Sequence, residues 1–205
     1  MLFWRSGTGT NRQKDIFRMK LNLGCGNKRL DGYVNIDIQP RCRPDRVVDL
    51  EAVPWPFENN SVDEVVIEHV LEHIGASPDL HRQIIQELYR VCRNGALIKI
   101  VFPHPRSDAY LIDPTHVRPL TASTLEMYSK KKCLDLIEKR SPTTPLAIYW
   151  GVDFEVESGE TILYPYWADR YQKGAISRSD LEFAINSYSN VVSEMRMTLK
   201  TVKGF

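Results

Sequence analysis

Short apolar runs separated by polar, glycine- and proline-containing stretches set the pattern of the amino-terminal half. Residues 17–23 and 33–38 form two such runs and predict two strands. The segment between them, 27–32, is too short for a regular crossover helix. Parallel strands normally need a connection of about a dozen residues, so a single irregular turn must make the crossover, with Asp31-Gly32 at its end. Residues 45–50 and 65–68 predict a third and a fourth strand. The pattern then changes period. Leu80, Ile84, Leu88 and Val91 recur at helical spacing, with Ile85 and Cys92 beside them and Asp79, Arg82, Gln86 and Arg90 toward the other face. This predicts a helix over 78–92 stopped by Asn94-Gly95, then a buried fifth strand over 96–102.

The carboxy-terminal half reads less regularly. A helix is expected over 121–137, with Leu125, Tyr128 and Leu134 apolar and Lys130, Lys131 and Lys132 on a solvated face. A break at 142–145 precedes an imperfectly alternating strand over 147–156. Residues 161–171 are rich in aromatics and suit either core or the lining of an acceptor pocket. A short helix over 179–188 should start at Ser179 or Asp180. The alternating run 193–202 predicts a last strand, antiparallel to its neighbours at the sheet edge. Residues 6–14 lack periodicity and read as a flexible lead-in.

Length and composition narrow the class. The 205 residues suffice for one α/β domain with a full core. A formal net charge of +1 argues against a dedicated nucleic-acid surface. No apolar run approaches the ~20 residues of a membrane span, and the first residues are too quickly polar for a signal peptide. Cys25, Cys42, Cys92 and Cys133 form no Cys-x-x-Cys pair, which fits a reducing, cytoplasmic setting and no disulfide framework.

The chemistry centres on Leu23-Gly24-Cys25-Gly26 and the strand ending in Asp37-Ile38. Two glycines between apolar runs allow a sharp turn and close approach of a ligand. A carboxylate at the next strand tip can accept hydrogen bonds from the vicinal hydroxyls of a ribose. A dinucleotide fingerprint needs a third glycine where Arg29 stands, and places its acid about 20 residues on, later than Asp37. No Gly-Lys-Ser/Thr of a phosphate loop follows.

Leu21-Asn22-Leu23-Gly24-Cys25-Gly26 followed by Asp31-Gly32-Tyr33-Val34-Asn35-Ile36-Asp37-Ile38 resembles the class I S-adenosylmethionine-dependent methyltransferases, closest to a small bacterial subgroup with a shortened first crossover. The 54–66 loop, His69-Val70-Leu71-Glu72-His73, the 90–96 turn and Asp113-Pro114-Thr115-His116-Val117-Arg118-Pro119 resemble segments of the same subgroup. The resemblance implies a Rossmann-like, doubly wound α/β fold with a mostly parallel seven-stranded sheet and an antiparallel edge strand. It implies one methyltransferase domain over 1–205, with a lead-in at 1–15 and acceptor-side loops and helix at 104–175. S-adenosylmethionine would be the cofactor, held by Gly24, Cys25, Gly26, Asn27, Asp37 and Ile38. Asp49 would meet the adenine amino group and Leu50 its ring, with Glu68 and His69 at the fourth strand tip. The function implied is methyl transfer to an oxygen or nitrogen of a small molecule or glycan precursor. A homodimer stays open.

Methyl transfer is an in-line displacement at a sulfonium carbon, so alignment and desolvation supply much of the rate. An amine or hydroxyl acceptor must also lose a proton, for which a neutral histidine is suited. His116 is the first candidate base and His104 the second, with Asp113 able to orient one of them. The order His69-x-x-Glu72-His73 has the spelling of an inverted zincin, but no third ligand on a downstream helix is evident, so no metal is expected. The alternative from another class is a non-catalytic cofactor-binding subunit serving a partner enzyme. A nicotinamide oxidoreductase is disfavoured by Arg29.

Overall fold

The computed structural model describes residues 19–204; the lead-in and the first two residues of the first expected strand lie outside them. Seven strands form one sheet: β1 (Met19–Leu23), β2 (Val34–Asp37), β3 (Arg46–Val47), β4 (Val62–Glu68), β5 (Cys92–Pro103), β6 (Phe154–Leu163) and β7 (Val192–Thr201). Their spatial order is β3-β2-β1-β4-β5-β7-β6. The pairs from β3 to β5 are parallel, and β7 runs antiparallel to both β5 and β6. The Rossmann-like mixed sheet is therefore present. The last strand is antiparallel as expected, but it lies one place in, and β6 forms the edge.

The helices are α1 (Pro78–Val91), α2 (Asp108–Leu111), α3 (Ala122–Glu126), α4 (Lys130–Glu138), α5 (Leu146–Trp150), α6 (Pro165–Gln172) and α7 (Arg178–Ser187). Among the described residues, none of the three connections ahead of β4 contains an α-helix. α1 starts at Ser77, whose hydroxyl accepts from the Leu80 N–H, with Pro78 in the first turn. It buries Ile84, Ile85, Leu88 and Val91 against β-strand residues Leu21, Leu23, Ile36, Val65, Ile67, Ile98 and Ile100. Each such side chain contributes about 1.5–3 kcal/mol when fully buried. The alternate positions Lys20, Glu64 and Lys99 form ion pairs across the opposite face, and Tyr33 Oη donates to Glu64. Burial would raise the Glu64 pKa, but Lys20, Lys99 and Tyr33 outweigh it and hold the carboxyl down at about 2.

Several expectations need correction. β4 begins three residues before the expected run, because Val62 is fully buried against the core. Only Arg46–Val47 of the third expected run pairs as strand. Asn94-Gly95 does not stop α1. The helix ends at Val91, the chain enters β5 at once, and these residues fall where the β4–β5 register shifts. The helix expected over 121–137 is two, because Ser129 caps a fresh start at Lys130. The strand expected over 147–156 is helix α5 and then β6. Pro145 precedes α5, and Gly151 in a left-handed conformation ends it. The last helix starts one residue early, with Ser177 and Asp180 forming a capping box. The aromatic run splits between β6 and α6. Trp167 packs in a small second core with Leu163, Leu181 and Val191, and Tyr166 is exposed.

His81, on the buried face of α1, is 2 % exposed. Its Nε2 lies 2.6 Å from the Tyr128 hydroxyl. Burial, assisted by the Arg118 charge, lowers its pKa from 6.5 to about 4. Between those values the unfolded chain binds the extra proton and the folded chain does not. The stability contributed by neutral His81 is therefore complete above about pH 6.5 and is lost as pH falls toward 4. Urea unfolding should show a loss of about 2–3 kcal/mol between pH 7 and 4.5 from this group. A His81→Gln variant should show a flatter acid dependence; an equal loss in both proteins would contradict this.

Candidate cofactor and acceptor site

The first crossover is held by side chains in place of a helix. Asn22 Nδ2 donates to the Lys28 carbonyl at 2.8 Å and to Asn35 Oδ1 at 2.9 Å. Asn35 Oδ1 also accepts from the Leu30 N–H at 2.8 Å, and Asn35 Nδ2 donates to Asp45 Oδ2 at 2.9 Å. Asp45 takes a further bond from the Asn35 N–H and a pair with Arg29. The Asn35 N–H, then Arg29 and the Asn35 amide, hold its carboxyl at about 2. Arg29, which stands where a dinucleotide fingerprint would have its third glycine, thus belongs to this network.

Above it, Gly24 and Gly26 have φ of +66° and +48°, a region that side chains with a Cβ rarely adopt. A Cβ on Gly24 would stand 2.3 Å from Val70 Cγ2, whereas one on Gly26 would meet nothing. Gly24 is therefore fixed by contact with the turn after β4. The Gly26 N–H donates to Asp37 Oδ2 at 2.7 Å, and Gln39 N–H donates to Oδ1 at 2.8 Å. Both bonds aim the Asp37 carboxylate across the loop.

A cavity of about 310 Å³ is lined by Gly24, Asp37, Ile38, Val48, Asp49, Leu50, Glu51, His69, Val70, His73 and Ile74. Six residues expected at the cofactor, Gly24, Asp37, Ile38, Asp49, Leu50 and His69, are brought together there. Asp49 is fixed by accepting from the Glu51 N–H, and Leu50 by its carbonyl accepting from Trp55 Nε1. The other expected residues lie elsewhere. Cys25 is buried, and burial followed by the Asp37 charge pushes its thiol pKa up. Asn27 is exposed outside the lining. Glu68 pairs with Lys28 on the other side of the strand tip. Gly26 lies outside the lining, with its N–H bonded to Asp37.

A second cleft of about 550 Å³ shares His69 and His73 with the first and adds Glu72, Pro103, Ala109, Ile112, Asp113, Pro114 and His116. The Glu72 carbonyl accepts from the Val117 and Arg118 N–H groups at 2.8 and 3.2 Å, which holds the 113–118 loop against the turn after β4. His116 Nδ1 lies 2.7 Å from the Tyr110 carbonyl and must donate to it, leaving Nε2 as the acceptor. The Tyr110 ring stacks on His116 at 4.9 Å. Asp113 Oδ2 is 3.9 Å from His116 Nε2. Its Oδ1 accepts from the Thr115 hydroxyl at 2.6 Å, and that oxygen lies 2.9 Å from His73 Nδ1. Asp113 thus orients His73 through Thr115. His104 lines neither cavity: its Nδ1 accepts from the Arg106 N–H, and burial with the Arg106 charge lowers its pKa. His69 adopts φ of +54° at the strand tip. Its ring lies 3.4 Å from Glu72 and 3.5 Å from Glu194. The interaction of its Nδ1–H with the Glu72 carboxylate, opposed by burial and aided by the Glu72 and Glu194 charges, raises its pKa. Glu72 and His73, which the sequence left as turn positions, also line this cleft. Their place beside an expected strand tip was the available signal.

Residues 21–100 match the family model described as a methyltransferase domain. Similar structures include an S-adenosylmethionine-dependent methyltransferase from Archaeoglobus fulgidus, 17 % identical over 90 % of this chain and 86 % of that one, with a TM-score of 0.58. Another from Methanosarcina mazei is 16 % identical over 91 % and 93 %, with a TM-score of 0.53. The [4+2]-cyclase SpnF is 16 % identical over 91 % and 76 %, with a TM-score of 0.50. No curated protein matches the sequence. The strand order and the structural likeness define the class: the chain has the fold of the class I S-adenosylmethionine-dependent methyltransferases, and residues 21–100, which hold the paired-glycine loop, match the methyltransferase-domain model. The family match and the fold both indicate S-adenosylmethionine as the cofactor. No described helix is long and apolar enough to cross a membrane.

Asp37→Ala should weaken binding of S-adenosylmethionine roughly tenfold or more by calorimetric titration, since charged hydrogen bonds are worth about 1.5–3 kcal/mol. Unchanged affinity in a folded variant would show that Asp37 does not hold the ribose.

Proposed function

We propose that the protein transfers the methyl group of S-adenosylmethionine to an oxygen or nitrogen of a small molecule or glycan precursor. The observation that carries this reading is the junction of two cavities at His69 and His73. One cavity has the Asp37 and Asp49 tips suited to ribose and adenine; the other has imidazole and carboxylate groups suited to an acceptor. The reactive methyl would lie at the junction, with the acceptor approaching from the side of His116. The acceptor heteroatom attacks the methyl carbon, the carbon–sulfur pair goes to sulfur, and the acceptor's proton leaves into the cleft. His116, with Nε2 free and Nδ1 committed to a carbonyl, is placed to serve that proton's removal. Exposed Ile112 at the mouth suits an acceptor with an apolar portion. A non-catalytic subunit is disfavoured, because a binding module needs no such second cleft. The SpnF likeness makes chemistry, not fold, the matter to test.

S-adenosylmethionine and S-adenosylhomocysteine should raise the melting temperature, by about 2.7 kcal/mol of stability at 100 times Kd, and NAD should not. Methyl-labelled cofactor should then label a member of a panel of hydroxylated and amino compounds and glycan precursors. His116→Ala should keep cofactor affinity and slow turnover roughly 10²–10⁴-fold. Stabilisation by NAD alone, or full turnover by the variant, would contradict the proposal.

A further inference from the structure

Glu72 is 1 % exposed; neither carboxylate oxygen makes a well-aligned hydrogen bond, and only the His69 ring, 3.4 Å from Oε1, stands against it as a partner among the described residues. The second oxygen has no such partner, and a buried carboxylate is costly unless it is fully paired. It faces a cleft whose other walls present imidazole lone pairs. His73 and His116 lie with ring centroids 4.5 Å apart, and Glu72, His73 and His116 each bring a donor atom within 4.8 Å of the others. Both rings are held by their Nδ1 atoms. Tyr110 offers only a carbonyl, so His116 Nδ1 carries a proton. The Thr115 hydroxyl hydrogen is committed to Asp113, so His73 Nδ1 also donates. Each ring therefore turns an unprotonated Nε2 away from its support. Such outer bonds to a backbone carbonyl and to a hydroxyl–carboxylate relay fix the orientation and tautomer of metal-ligating histidines.

We propose that Glu72, His73 and His116 form a site for one divalent transition-metal ion, with zinc its natural occupant. Two imidazoles and a carboxylate make a three-ligand set that leaves a coordination position open. Donors about 2.1 Å from one ion lie at most ~4.2 Å apart, so side-chain shifts of less than about 1 Å complete the set. The sequence did not offer a third ligand because it comes from the 113–118 loop and not from a downstream helix. The open position faces the acceptor cleft. With the ion bound, His116 Nε2 would be its ligand in place of the base assigned to it above; an acceptor hydroxyl on the ion would lose its proton to water, and its oxygen would attack the methyl carbon while the carbon–sulfur pair passes to sulfur. That last step rests on the methyl-transfer reading; ion binding does not.

The test uses chelator-stripped full-length protein titrated with cobalt(II) and with zinc, without cofactor. Cobalt should give one saturable visible absorption band at one equivalent, displaced by zinc. Glu72→Ala, His73→Ala and His116→Ala should each abolish the band. Thr115→Val, which removes only the support of His73, should weaken binding roughly 10–100-fold. Folding of each variant is followed by circular dichroism, and the wild-type titration is decisive by itself. No band in the wild type, or a band that survives in all three ligand variants, overturns the site. Cofactor-induced stabilisation without a cobalt band would sink the metal and spare the methyltransferase reading. A cobalt band in a protein that transfers no methyl group would do the reverse.

Discussion

The buried amide pair of Asn22 and Asn35 is the contact on which the cofactor side depends. Both side chains are under 5 % exposed, and together they satisfy backbone groups that a crossover helix would otherwise satisfy internally. Unmade buried hydrogen bonds cost about 1–3 kcal/mol each, so the network closes only when residues 27–32 follow one path. That path delivers the Gly26 N–H to Asp37, and Asp45 ties the start of β3 to the same asparagine. Loop, acid and third strand are thereby set by one polar cluster beneath them.

The turn after β4 joins this support to the chemistry. Val70 stands where any Cβ on Gly24 would be, so the glycine loop and the turn fix each other's position. Glu72 then holds the 113–118 loop through its carbonyl, while its carboxylate stays in the cleft. Five residues, His69 to His73, thus contact the cofactor loop on one side and the acceptor loop on the other. His69 in a left-handed conformation is the point where the strand bends into that role. Sparsely populated backbone conformations of this kind persist where surrounding bonds over-determine them, and here His69 N–H donates to the Val101 carbonyl.

Most of the parallel half of the fold was legible because its signals are local. The 78–91 face has helical period, and the 19–23 and 34–37 runs flank a glycine turn, so burial and local preference agree. The carboxy-terminal half misled where they part. Ala147 and its neighbours alternate weakly, yet Pro145 and Gly151 bracket a single helical turn. Ser129 interrupts a helical pattern because its hydroxyl caps Lys132 N–H. The acids expected at the strand tips do gather with Gly24 around one cavity, except that Glu68 pairs with Lys28 and lies in a neighbouring cleft that also touches His69. The pairing of Glu72 and His73 with His116 depends on a loop closing across more than forty residues, which no spacing in the chain announces. The expected second base, His104, sits at the end of the fifth strand as read, but its loop turns the ring toward Arg106.

The bound cofactor's methyl group is expected to point from the Asp37 cavity into the imidazole cleft. This orientation is tested most directly by nuclear Overhauser contacts from S-adenosylmethionine carrying a ¹³C methyl group, bound to protein with labelled histidine rings. Contacts from the methyl protons to the His69 or His73 ring are the predicted result, since those rings line both cavities. A bound cofactor whose methyl contacts only the far cavity wall, at Ile38 or Val48, would contradict it.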